Sequence, residues 1–200
     1  MSQLKNPTRR TFLKSSAAVG GSLIIGVALP GGMRFAMAAS DSAINAWIRI
    51  GSDNTVTILC ARSEMGQGVV MALPTLVAEE LEVDLSKIKV DFAPPGEVYI
   101  NGMLGGQITG GSTSVRDGWD KLRIAGAQAR SMLIQAAATK WGVNAADCRA
   151  ANGVITCKDK KATYGSLAAD AAKLTPPKEV ALKDPSKWRY IGKSDRKSVV

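Results

Sequence analysis

The chain has 200 residues, 46% hydrophobic and 22% charged, which is enough apolar material for one folded domain with appendages. It has no histidine, which removes the usual general base, the commonest metal ligand and any Ser-His-Asp triad. Its three cysteines, Cys60, Cys148 and Cys157, are too scattered for a zinc or iron–sulfur site held by this chain alone.

The formal charge of +9 is unevenly placed. Lys5, Arg9, Arg10, Lys14 and Arg34 all fall in residues 1–38, which contain no acid. The remainder intersperses acids with bases and has few aromatics, so it lacks the footprint of a nucleic-acid binder. Residues 1–38 read as an address. A basic start leads into a weakly apolar stretch, Ala17 to Leu29, and then Ala36-Met37-Ala38 offers an A-x-A cleavage site. That stretch is short of the ~20 residues needed to span a bilayer. Arg9-Arg10, followed by Phe12, Leu13 and Lys14, resembles a twin-arginine export signal. The expected destination is the periplasm, with membrane association if the signal stays uncleaved.

After the signal, Ala43 to Ile50 alternates apolar and polar residues, Gly51 to Asn54 is a turn cluster, and Thr55 to Cys60 is β-rich. Together they predict a hairpin. Apolar residues at 69, 70, 73, 76, 77 and 81 predict a helix. Pro74, tolerated only near a first turn, puts its regular start around residue 72 or 73. Ile88 to Ala93 predicts another strand. Between the first strands and this helix lies Glu64-Met65-Gly66-Gln67-Gly68. Its glycines let a ligand approach the backbone, and the Gln67 amide offers both donors and an acceptor. A strand-to-helix turn can also need glycine for structural reasons alone.

Residues 102–111 contain five glycines, and Ser112, Thr113 and Ser114 follow. Val115, Trp119, Leu122, Gly126, Ala129, Leu133 and Ala136 then mark one face of a long helix, ending near Gly142. Ser114 and Asp117 have the spacing of an N-terminal cap. A glycine-rich loop opening a helix can cradle an anion through free backbone N–H groups. Without a Walker lysine or G-x-G-x-x-G spacing, NTP hydrolysis and NAD binding are poor readings. The alternative is a flexible loop with ordinary serine capping.

Asn152-Gly153 is a strong hairpin signal that sets Cys148 opposite Cys157 in a non-hydrogen-bonded pair. In an exported protein a disulfide between them is expected, with two free thiols as the alternative. Tyr164 to Lys173 predicts a short helix, and Trp188 to Ile191 a strand. The sum is an α+β fold of mixed strands with short and long helices.

The order SEMGQG, an amphipathic helix closing in AEELEVDLSKIKVDFAPP, a Gly/Thr/Ser loop and QITGGSTSVRDGWDKLRIAGAQAR resembles a known arrangement. It is similar to the molybdopterin-binding large subunit of the xanthine oxidase and aldehyde oxidoreductase family, especially the isoquinoline 1-oxidoreductase type. The likeness runs over residues 44–192 and implies an incomplete molybdopterin-binding domain. The expected organisation is a signal peptide at 1–38, the N-terminal part of the subunit at 39–192 and a divergent tail at 193–200.

The resemblance implies cofactor contacts at Met65, Gly66, Gln67 and Gly68, and at Gly111, Ser112 and Ser114. It implies molybdopterin cytosine dinucleotide as cofactor and oxidative hydroxylation of an N-heterocycle or an aldehyde. The implied partners are the remainder of the large subunit and a small [2Fe-2S] subunit, and the implied substrate is a small molecule. The family's catalytic Glu lies in a G-x-G-E-like segment far toward the C-terminus, with no counterpart here. No catalytic residue is therefore assigned, and none that would bind a metal directly. The competing expectations are a periplasmic binding or assembly module and a non-functional fragment.

Overall fold

The structure, a computed structural model, describes residues 41–193. The export signal with Arg9 and Arg10, and residues 194–200 of the divergent tail, lie outside the described residues.

The first sheet contains β1 (Asp41–Asn45), β2 (Ile48–Gly51), β3 (Val56–Cys60) and β4 (Ile88–Phe92), in that spatial order. Helix α1 (Val69–Leu81) carries the chain from β3 to β4. Helix α2 (Ser114–Trp141) follows, then a second sheet of β5 (Arg149–Ala151), β6 (Val154–Cys157) and β7 (Lys160–Thr163). Helix α3 (Tyr164–Ala171) comes last. Among the described residues, two small sheets and three α-helices make the fold α+β.

The predicted hairpin forms by antiparallel pairing of β2 with β3, with Ile48 opposite Ile58 and Ile50 opposite Val56. The single strand expected over 43–50 is two strands, broken at Ala46-Trp47. The Asn45 side chain explains the break, because its Oδ1 accepts from the Trp47 amide and its Nδ2 donates to the Ala125 carbonyl. Strand β4 runs parallel to β3, which requires a crossover, and α1 supplies it. One face of β3 packs Val56, Ile58 and Cys60 into the main core. Its other face packs Leu59 against Tyr99, and the Tyr99 ring meets Trp47 edge-on at 4.9 Å.

Helix α1 begins at Val69, earlier than Pro74 suggested. Proline leaves one carbonyl of the preceding turn without its helical donor. The Glu64 carboxylate bonds the amides at the helix start, so the first turn holds regardless. Helix α2 crosses α1 closely at Gly126, where a Cβ would stand 2.7 Å from the Val77 carbonyl oxygen. It ends at Gly142, left-handed at φ 65°, as its position predicted.

The Asn152-Gly153 hairpin has the predicted register, pairing Ala151 with Val154 and Arg149 with Thr156. A third strand, β7, extends it. Cys148 and Cys157 are both buried, and both are free thiols in this structure. Burial, then the neighbouring Cys157 sulfur, push the Cys148 thiol above its ordinary range.

The strand expected at Trp188 to Ile191 does not form. The amides of Arg189, Tyr190 and Ile191 donate to the Glu79 carboxylate instead of a ladder. Glu79 and its neighbour Glu80 are both fully buried on α1. Burial pushes the Glu79 carboxyl up, but Lys183 at 2.7 Å and the three amides outweigh it and hold the group below the usual range. Glu80 accepts from Arg123 Nε at 2.9 Å and from the Lys183 amide at 2.7 Å. Fully paired in this way, two buried acids tie the C-terminal segment to the α1–α2 layer.

Candidate cofactor-binding site

The two loops singled out by sequence leave the same end of the fold. One follows β3 and opens α1, while the other precedes α2. They meet where the Ser63 amide donates to Thr109 Oγ1 at 2.8 Å. Beneath them lies Arg62, a buried residue whose guanidinium spans three segments. Its Nη1 donates to the carbonyls of Ala61 at 2.8 Å and Tyr99 at 2.9 Å, and its Nη2 donates to Asp117 Oδ2 at 2.7 Å. One cation therefore joins the end of β3, the short turn at 97–99 and the first turn of α2.

Asp117 completes this base. Its other oxygen accepts from the Gly102 amide at 2.8 Å and from Lys121 at 2.7 Å. Burial raises the carboxyl, but Lys121, the Gly102 amide and Arg62 lower it more, so it sits below the ordinary carboxylate range. The expected capping pair of Ser114 and Asp117 is therefore not formed, because Asp117 turns away toward Arg62.

The first loop is closed on itself. Glu64 Oε1 accepts from the amides of Gly66 at 2.8 Å and Gly68 at 3.0 Å, and Oε2 accepts from Val70 at 3.0 Å. The Val70 and Gly68 bonds are the largest influences that hold Glu64 below the usual carboxylate range. The Gln67 side chain, expected to face a ligand, folds back. Its Oε1 accepts from Met65 N, and its Nε2 donates to the Ser63 carbonyl at 2.8 Å. Gly66 and Gly68 are left-handed, at φ 93° and 79°, with open space where a Cβ would stand. Backbone conformation therefore accounts for these glycines, and the loop surface around them stays accessible. Met65 is 69% exposed.

The second loop is the opposite. It is anchored from below: the buried Asn101 donates through Nδ2 to Thr113 Oγ1 at 2.7 Å, and that hydroxyl donates to the Gly110 carbonyl at 2.8 Å. Gln107 Nε2 donates to the carbonyls of Ala93 and Pro94. With the Thr113 hydroxyl committed to its own loop, no side chain caps α2. Among the described residues, the Ser114, Val115 and Arg116 amides find no acceptor. They sit at the positive end of a helix of 28 residues. Gly111 and Ser112 precede them, both left-handed, at φ 59° and 52°. Ser112 is exposed and Ser114 half-buried, which leaves both hydroxyls free of intrachain bonds among the described residues.

Sequence reasoning placed Gly111, Ser112 and Ser114 on an anion-binding loop, and this geometry fits an anionic, oxygen-rich ligand. The Thr113 hydroxyl, expected to extend that cradle, is instead held between Asn101 and the Gly110 carbonyl, and sequence reasoning assigned no role to Arg62 or Asn101, which build the platform with it. The only local signal for Asn101 was its position before Gly102, a turn dipeptide.

Residues 5–199 match the family described as the molybdopterin cofactor-binding domain. The chain belongs to that family. This member of the molybdopterin cofactor-binding domain family is 37% identical to the isoquinoline 1-oxidoreductase subunit beta of Brevundimonas diminuta, over 81% of its own length and 22% of the relative's. It is 30% identical to the membrane-bound aldehyde dehydrogenase [pyrroloquinoline-quinone] of Gluconacetobacter polyoxogenes, over 96% of its length and 26% of the relative's. It thus spans about a quarter of these relatives. Among solved structures it resembles quinoline 2-oxidoreductase from Pseudomonas putida 86, at 19% identity and a TM-score of 0.45, with 66% of this chain and 17% of that one covered. The reconstituted CO dehydrogenase of Oligotropha carboxidovorans gives 22% identity and a TM-score of 0.47, with 66% and 16% covered.

Proposed function

We propose that this chain supplies part of a pterin dinucleotide site to the large subunit of a molybdenum hydroxylase acting on N-heterocycles or aldehydes. The observation that carries the reading is the uncapped start of α2, set behind Gly111 and Ser112 in a member of this family. The free amides of residues 114–116 and the hydroxyls of Ser112 and Ser114 would hold anionic oxygens of the cofactor. The Met65–Gly68 turn would contribute its accessible backbone and the exposed Met65 side chain to holding the same group. When bound, the cofactor supplies the oxidative chemistry, and the protein supplies position and electrostatics. Arg62 and Asp117 are positioning residues: they fix the loop bases and touch no ligand themselves.

The dinucleotide is read as the cytosine form and the electron acceptor as a small [2Fe-2S] subunit, both from likeness to the isoquinoline-type large subunits. Arg9 and Arg10 would direct export of the folded, loaded protein to the periplasm by the twin-arginine route. Metal and nucleotide analysis of protein purified from its own cells tests the reading. The expected result is molybdenum with released cytidine nucleotide, both depleted by Ser112→Ala with Ser114→Ala. Homogeneous protein from those cells with neither component would contradict it.

A further inference from the structure

The first sheet ends abruptly. β3 is buried along its whole length, whereas its parallel neighbour β4 is not. The register sets Val90 beside Ile58 and Phe92 beside Cys60. Val90 and Phe92 therefore continue the core face of the sheet, yet they are 37% and 63% exposed. Parallel strands are ordinarily covered on both faces, and an open edge is a template for another strand. β4 is terminal in the sheet order, so its outer edge pairs with no strand among the described residues.

The apolar surface continues past β4. Val98, Ile100, Met103 and Leu104 are also exposed. They sit on a fixed segment: Gln107 bonds back to Ala93, Pro94 and Gly96, and Asn101 N–H donates to the Gly106 carbonyl at 2.8 Å. The segment leads directly to Thr109 and the cofactor loop. Among the described residues eleven large apolar side chains are exposed, and eight of them lie between positions 90 and 115, which concentrates exposed apolar area on this stretch of the chain.

We infer that this edge is the docking surface for the remainder of a large-subunit polypeptide, which adds an extended strand to β4 and covers Val90 and Phe92. The inference rests on the proposed large-subunit role. It favours that occupant because the two relatives hold roughly three quarters of their length outside the region this chain matches. Main-chain pairing along β4 would supply affinity, and the apolar shelf would supply register.

Lysine-reactive cross-linking of the protein purified from its own cells tests this, with Lys89 on β4 as the reporter and Lys161 on β7 as the control. The expected result is cross-links from Lys89, and not Lys161, to peptides that align with the unmatched part of the relatives. Val90→Asp with Phe92→Asp should lower their yield about tenfold, as for a buried apolar anchor. Val90→Thr should retain them, and both variants should keep the melting temperature of the isolated chain. Cross-links from Lys89 only to a second copy of this chain, only to an iron–sulfur subunit, or to nothing would overturn the inference, as would a yield unchanged by the aspartate pair. Molybdenum and nucleotide measured on the same samples separate the two readings. Cross-links without cofactor support docking and sink the cofactor role, while cofactor without cross-links sinks docking alone.

Discussion

The loops at 63–68 and 105–114 have similar composition and the same setting, a glycine-rich turn opening a helix, but they end up in opposite electrostatic states. In the first, Glu64 satisfies the amides of Gly66, Gly68 and Val70, so the positive end of α1 is already neutralised by the chain itself. In the second, the acid nearest the helix start, Asp117, is drawn away by Arg62 and Lys121, and the amides of α2 stay open. Glycine content alone therefore says little about anion binding. What matters is where the nearest carboxylate goes, and here one buried arginine decides it.

The harshest way to break this difference is to remove that arginine. Arg62→Met would leave Asp117 buried beside only Lys121, and truncating one partner of a buried pair costs about 3–5 kcal/mol. Urea unfolding should show the loss, and the cofactor should dissociate with it. Asp117→Asn should fall in the same range. A variant of either site that matched the parent in stability would remove the platform from the account.

A smaller effect isolates the open loop. Ser112 is left-handed, a conformation that costs a residue bearing a Cβ roughly 1–2 kcal/mol. Ser112→Gly should therefore hold or raise thermal stability while it weakens cofactor retention. Ser112→Val should lower both, since a β-branched residue is still less suited to that conformation. If Ser112→Gly retained cofactor fully, the hydroxyl would have no part in binding.

Glu64 gives the smallest expected change, because it is solvated. Its carboxyl is held below the usual range by amides present only in the folded state, so it binds protons less readily folded than unfolded. Its contribution is then fully present above the ordinary Glu value of about 4.3 and is lost as the pH falls through the depressed folded value. Glu64→Gln should lower the melting temperature modestly at neutral pH and converge with the parent in acid. Parallel curves across the pH range would show that Glu64 does not cap α1.

How much of this was legible in the sequence depended on how local the cause was. The Asn152-Gly153 hairpin, the register that sets Cys148 against Cys157, and the face and end of α2 were readable because turn chemistry and periodicity act within a few residues. The strand expected at 188–191 failed because its amides are claimed by Glu79, more than a hundred positions earlier, and periodicity carries no trace of such a bond. Pro74 misled for a related reason: a side chain outside α1, that of Glu64, holds the first turn. At the site, the residues expected to face a ligand were legible as types, yet Gln67 folds inward and Ser112 does not. Side-chain pairing made that division, and spacing does not encode it.

The contrast between the loops is tested most directly by titrating the full chain with inorganic pyrophosphate while following backbone amide resonances. The predicted result is a saturable shift of the Gly111, Ser112, Ser114, Val115 and Arg116 amides, with those of Gly66, Gly68 and Val70 unmoved. Shifts confined to residues 66–70, or shifts at neither loop, would contradict it.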